Sequence, residues 1–148
     1  MIFFYALAGS IVLLDQLTKF LAIQHLSGIH TVPVLNGVFH LTLVYNTGIA
    51  FGFFQEHPSL LLSLISVSLI VLLWIAHRMG RQNPLPSRLS ILGLALIVGG
   101  AFGNWIDRLR IHSVIDFLDF RIWPVFNLAD SFITVGVCLY LYLMMKRT

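Results

Sequence analysis

Apolar residues crowd into four stretches, about 2–20, 59–76, 89–106 and 125–145. Each approaches the roughly 20 residues that cross a bilayer as a helix. Backbone groups in hydrocarbon have no water to bond, so all four are predicted to be α-helical. The pattern changes between the first two. Thr31–Leu35 and Val38–Tyr45 are rich in β-branched and aromatic residues, and Asn36-Gly37 between them is a hairpin signal. Phe39, Leu41, Leu43 and Tyr45 lie on one face of the second strand, Val38 and Val44 on the other, and only His40 and Thr42 are polar. A hairpin standing in water is not built this way; this one is expected to rest on the helices and dip into the headgroup layer. Ile111–Ile122 also reads as extended, with Ile111, Ile115 and Phe117 alternating with His112, Val114, Asp116 and Leu118. If it joins the hairpin, a small sheet results.

The fold class is therefore an α-helical integral membrane protein: four transmembrane helices and a small extracytoplasmic β-sheet in a single membrane domain, 1–148. Composition agrees. With 58% hydrophobic and 10% charged residues, the chain lacks the roughly one-quarter charge that covers a soluble domain. The net charge of +3 does not point to nucleic acid, because the basic residues are scattered at the ends of apolar runs. Charge does suggest orientation. Arg78, Arg81 and Arg88 follow the second span and Lys146-Arg147 end the chain, so the positive-inside bias puts 77–88 and both termini in the cytoplasm. Residues 21–58 and 107–124 then face outward, where acidic partners are expected close to most of Lys19, Arg108, Arg110 and Arg121. Ala6-Leu7-Ala8 resembles a cleavage site but lacks a basic segment before it, so the first span is expected to remain uncleaved.

The chemistry is concentrated. Four of the six acidic residues (Asp107, Asp116, Asp119 and Asp130) fall between Gly99 and Ser131. A carboxylate near lipid is costly to ionise and is a functional-site hypothesis by default. Asp116 on a strand and Asp130 in the first turn of the fourth helix converge if the segment between them folds back. A helix N-terminus also favours a carboxylate with no chemistry at all, which is the plain reading of Asp130. Asp15 and Lys19, four apart with the acid first, read as an interfacial ion pair. Asn104, Asp107 and Arg108 share a helix face; a structural Asp107–Arg108 clamp is expected, with Asn104 a donor toward the site. Ala95, Gly99 and Gly103 form a small-residue stripe for close helix packing. Asn46 to Gly52, with two glycines, reads either as a turn or as a wall of a substrate groove. The six histidines are dispersed, there is no phosphate loop or nucleophile elbow, and the single Cys138 reads as a small buried side chain.

These residues carry a resemblance to the bacterial lipoprotein signal peptidases (signal peptidase II). It runs through Asp15-Gln16-Leu17-Thr18-Lys19, Asn46-Thr47-Gly48-Ile49-Ala50-Phe51-Gly52, Gly103-Asn104-Trp105-Ile106-Asp107-Arg108, Val114-Ile115-Asp116-Phe117 and Phe126-Asn127-Leu128-Ala129-Asp130-Ser131. The blocks fall in family order over nearly the whole chain; Ile49 stands where the family usually has a smaller residue. The resemblance implies an aspartyl endopeptidase of the inner membrane that cuts prolipoprotein signal peptides just before the diacylglyceryl-modified cysteine. It implies Asp116 and Asp130 as the catalytic pair, and Asp15, Lys19, Asn46, Gly48, Asn104, Asp107, Arg108, Asn127 and Ala129 as substrate-binding or supporting residues. It also implies a short interfacial helix beside the sheet. The expected partners are the lipid-modified prolipoprotein and membrane lipid, with no cofactor, no metal and no nucleic acid, and the expected form is a monomer. From residues alone, a proton-coupled transporter and a non-catalytic assembly protein stand as alternatives.

Overall fold

The computed structural model describes residues 1–29, 31–48, 54–82 and 87–146. The four apolar stretches are helices α1 (Ile2–Leu26), α2 (Pro58–Gly80), α3 (Arg88–Ile111) and α4 (Leu128–Met145). Each is long and apolar enough to cross a membrane. Their outer faces leave Leu13, Val67, Ile70 and Leu141 exposed, a surface that needs hydrocarbon rather than water as solvent.

The helix ends differ from the apolar runs for local reasons. α1 continues past Phe20 because Ala22 and Leu26 pack against Phe117 of the sheet. α3 continues past Ile106 because Asp107 and Arg108 find buried partners; it stops where His112 turns left-handed (φ 56°) and donates to the Arg108 carbonyl. α4 starts at Leu128 rather than at 125. Asn127 caps it reciprocally with Asp130, and the preceding Phe126 is drawn into backbone bonding with Leu118.

Three antiparallel strands form the sheet: β1 (Val32–Leu35), β2 (Phe39–Asn46) and β3 (Val114–Asp119), in the order β1-β2-β3. Gly37, at φ +72°, makes the hairpin turn. β3 is shorter than the predicted extended stretch. Ile111 belongs to α3, and at the far end Arg121 turns left-handed (φ 66°) with its N–H on Asp119. One face of the sheet, with Leu41, Leu43 and Phe117, packs on the end of α1. The opposite face presents Val44, Asn46, Val114 and Asp116 to a cavity.

α3 is the central helix. Ala95 is fully buried among Phe4, Ala8, Ala76 and Leu94, and a Cβ added to Gly99 would lie 2.8 Å from that of Ile11 on α1. On its other side, a Cβ at Gly100 would lie 2.5 Å from the Ala129 carbonyl oxygen of α4. The predicted stripe thus packs as expected, with one addition. Gly103 abuts the Asp15 carboxylate, so its lack of a side chain makes room for a polar group.

Cys138 is exposed, not buried. α4 turns Gly136 toward the Gly93 backbone of α3, which leaves Cys138 on the outer, lipid-compatible face. The interfacial helix is not among the described elements. Of the expected groove wall, Ile49, Ala50, Phe51 and Gly52 lie outside the described residues, as do His30 and Arg147.

Candidate active site

The site is assembled at the end of the bundle that carries the sheet, and it starts from the cap of α4. The Asn127 side-chain oxygen accepts the Asp130 N–H (2.9 Å), while an Asp130 carboxylate oxygen accepts the Asn127 N–H (3.3 Å). That exchange fixes the Asn127 amide nitrogen outward. It donates to Asp116 Oδ1 (2.7 Å) and to Asn104 Oδ1 (3.0 Å). Asn104 Nδ2 in turn donates to Asp130 Oδ1 (2.7 Å). Two neutral amides therefore join the two carboxylates.

Asp116 takes its second bond from Asn46 Nδ2 (2.9 Å), two residues along β2 from its register partner Val44. The Asn46 amide is oriented by the Gly48 N–H, which donates to its oxygen (3.0 Å). Arg108 Nη2 donates to the Gly48 carbonyl (2.7 Å) and so ties this turn to α3. Burial pushes the Asp116 carboxyl up to about 6. Asn46 pulls it back by donating, the negative charge of Asp130 pushes again, and Asn127 and the charge of Lys19 pull.

Behind this pair lies a second cluster, and it corrects one expectation, the Asp107–Arg108 clamp. Asp15 and Lys19 form the expected ion pair, at 0% and 1% exposure buried within the protein. Lys19 Nζ sits 2.8 Å from Asp15 and 2.7 Å from Asp107, and donates to Asn104 Oδ1 (2.8 Å). Desolvating three charges is tolerable only because each finds close partners. Asp107 makes no ion pair with Arg108 among the described residues. Lys19, Gln16 Nε2 (2.9 Å) and the Ile115 N–H (3.3 Å) occupy its oxygens, while Arg108 reaches the other way, to carbonyls. Asp107 thus links α1, α3 and β3. Asp15 also accepts the Ala129 N–H (3.1 Å), an otherwise unbonded donor of the first turn of α4. Ala129 is 0% exposed, wedged where α3 and α4 nearly touch.

Acidic partners were expected beside the outward basic residues. Lys19 has them, and Arg121 pairs with Asp119 at 3.2 Å. Arg108 donates to backbone oxygens instead.

All the predicted site residues thus meet in one connected network. Two contributors were not singled out beforehand. Gln16 bonds Asp107, Asp15 and the Gly103 carbonyl at once; its signal was a polar residue inside an apolar span, beside Asp15. The other contributor is the apolar wall. Both carboxylates face a cavity of about 600 Å³ lined by Asn46, Asn104 and Arg108 at its polar end. Ile65, Leu69 and Leu72 of α2, Ile133 of α4 and Trp123 to Phe126 line the rest. No periodicity distinguishes such residues from those facing lipid.

Comparison with known proteins gives the same picture. The family model described as "Signal peptidase (SPase) II" matches residues 7–146. Among curated relatives, the chain is 43% identical over 135 residues to the lipoprotein signal peptidase of Halothermothrix orenii, covering 91% of this chain and 90% of that protein. It is 45% identical over 136 residues to that of Trichormus variabilis, covering 89% and 83%. A solved bacterial membrane enzyme superposes with a TM-score of 0.85 at 27% identity, over 99% of this chain and 89% of the other. A second such structure gives 0.84 at 27%, over 100% and 96%. Sequence and fold agree over nearly the full length: this chain belongs to the signal peptidase II family.

Proposed function

We propose that Asp116 and Asp130 are the acid–base pair with which this membrane protease cuts prolipoprotein signal peptides. The observation that carries the reading is their joint placement. Two carboxylates, joined through Asn104 and Asn127, lie on one wall of a cavity whose other walls are apolar. Neighbouring carboxylates cannot both ionise cheaply, so they share a proton. The ionised one takes a proton from a bound water, which attacks the scissile carbonyl; the protonated one donates to the carbonyl oxygen. A proton then passes to the leaving amine, so each turnover returns the pair to its starting state. No residue forms a bond to the substrate, and the steps require no metal.

Asp15, Lys19, Asn46, Gly48, Asn104, Asp107, Asn127 and Ala129 act as supports that hold the pair. Arg108 has a further capacity. Its Nε is buried without a partner among the described residues, and its side chain lines the cavity, so it is a donor for a substrate carbonyl. The apolar wall formed by α2 and α4 suits a lipid-modified substrate whose acyl chains stay in the bilayer while the scissile bond meets water. That division puts the site near one membrane face. Arg78, Arg81, Arg88 and Lys146 lie at the opposite end of the bundle, so the positive-inside bias makes the site's face the outer one and both termini cytoplasmic. A single copy supplies both carboxylates and their supports, so the proposed chemistry is complete in a monomer.

The test is cleavage of a diacylglyceryl-modified prolipoprotein in detergent, with the new N-terminus mapped by mass spectrometry. Cleavage just before the modified cysteine, unchanged by chelator and weak on the unmodified precursor, is the expected result. Loss of activity on chelation, or equal cutting of both precursors, contradicts it.

A further inference from the structure

We propose that Lys19 is a positioning residue of the reaction: it fixes the polarity of the Asn104 carboxamide so that Asp130 is held as the base of the pair. The inference rests on the assignment of Asp116 and Asp130 just given, and extends it to which of the two is ionised. A carboxamide is nearly symmetric in shape, so its orientation is decided by what surrounds it. Asn104 Oδ1 meets two donors, Lys19 Nζ at 2.8 Å and Asn127 Nδ2 at 3.0 Å. With the amide reversed, its NH2 would face both donors and its oxygen would face the Asp130 carboxylate. Both contacts would be repulsive. In the observed orientation Nδ2 is left one target, Asp130 Oδ1 at 2.7 Å.

Lys19 cannot swing away from this task. Asp15 and Asp107 hold its ammonium at 2.8 and 2.7 Å, and the side chain is 1% exposed. A buried ammonium with two carboxylates satisfied has one further donor to place, and Asn104 receives it. The effect reaches the two aspartates unequally. Asp130 accepts from Asn104 and from the Asn127 N–H, and stands at N3 of α4, where the helix dipole favours an anion. Asp116 stands on a strand, without a helix terminus, between the amides of Asn46 and Asn127. Asp130 is accordingly the base that deprotonates water, and Asp116 carries the proton. The ionisable groups around the pair are Asp15 and Lys19 from α1 and Asp107 and Arg108 from α3. β2 faces it with the uncharged Asn46, and α2 with apolar side chains and Ser68.

The test is the pH dependence of kcat/KM for prolipoprotein cleavage. Lys19→Met alone leaves two buried carboxylates without a cation and risks misfolding, so it is made beside a triple variant, Asp15→Asn with Lys19→Met and Asp107→Asn. The triple variant removes all three charges with little change of shape. Without the lock on Asn104, the acid limb of the profile should move up by about one pH unit, the size set by losing one hydrogen bond to a carboxylate. The loss of activity should be greater below that limb than above it. A second series in an Asn104→Ala background should show a clearly smaller shift when the three charges are removed, since only the through-space effect of the charges is left there. An equal loss at every pH overturns the proposal, since that is what a purely structural role predicts. A shift of the same size in the Asn104→Ala background also overturns it, because Lys19 would then act through its charge alone. Movement of the basic limb instead overturns the choice of Asp130 as base. Asp116→Asn and Asp130→Asn are run alongside; activity within about tenfold of wild type in either refutes the aspartate pair itself, whatever Lys19 does.

Discussion

Two clusters of carboxylates lie side by side in this molecule, and they are built on opposite principles. Asp15 and Asp107 are closed around a lysine, and every oxygen of theirs has a partner. Asp116 and Asp130 have no cation bonded to them among the described residues; neutral amides hold them, and they face a cavity. The first arrangement lowers the cost of buried charge and joins α1, α3, β3 and α4. The second leaves charge under-compensated, which keeps a proton exchangeable where substrate can reach it. Stability and chemistry are thus assigned to neighbouring groups of one residue type, with Asn104 bonded to both sets.

The contrast is sharpened most by removing one charge at a time. Asp116→Asn keeps the shape of the side chain and deletes its acid–base chemistry, so kcat should fall by about 10²- to 10⁴-fold in a protein that remains folded. Lys19→Met addresses the other cluster. It leaves two buried carboxylates uncompensated and should lower unfolding stability by about 3–5 kcal/mol, measured by thermal unfolding in detergent. The triple neutral variant should recover most of that loss. A smaller effect joins the two regions. The Asp116 carboxyl is raised from 3.8 to about 6, so its ionisation disfavours the folded state. The penalty is absent below about 3.8, grows with pH, and is fully present above about 6, where it amounts to about 3 kcal/mol at most. Asp116→Asn should therefore raise the unfolding temperature at pH 8 and change it little at pH 4. Gly103→Ala should have the smallest effect, a loss of about 1–3 kcal/mol from overpacking, because the added methyl meets the Asp15 carboxylate. A neutral outcome there would mean that the cluster of Asp15, Lys19 and Asp107 has slack the packing does not suggest.

How much of this could be read from the sequence follows from the range of the interactions. The helices were legible because a bilayer imposes length and apolarity, and the hairpin because Asn36-Gly37 dictates its turn. The first turn of α4 was legible because Asn127 and Asp130 sit at cap spacing. Convergence of Asp116 and Asp130 depends on the segment between them folding back, and the antiparallel bridge of Leu118 with Phe126 meets that condition. What failed was partner choice. Asp107 stands next to Arg108 in the chain yet pairs with Lys19, because adjacent residues on a helix point in different directions. Asp15 and Lys19 pair as their spacing predicts, but their further partners on α3 and at the start of α4 are not written in the first span. Cys138 looked buried because its neighbours are apolar, but apolar neighbours in a membrane helix do not say which face meets protein. The cavity wall on α2 was invisible for the same reason.

The most direct test of the account is the cleavage rate of Asp130→Asn, measured on protein whose unfolding transition is verified. Asparagine there can still accept the Asn127 N–H and complete the cap of α4, so the fold should survive while the base is gone. The account predicts a protein with the wild-type unfolding temperature to within a few degrees and no cleavage above background. A folded Asp130→Asn protein that cuts within tenfold of the wild-type rate would contradict it, and would leave Asp130 as a helix cap and nothing more.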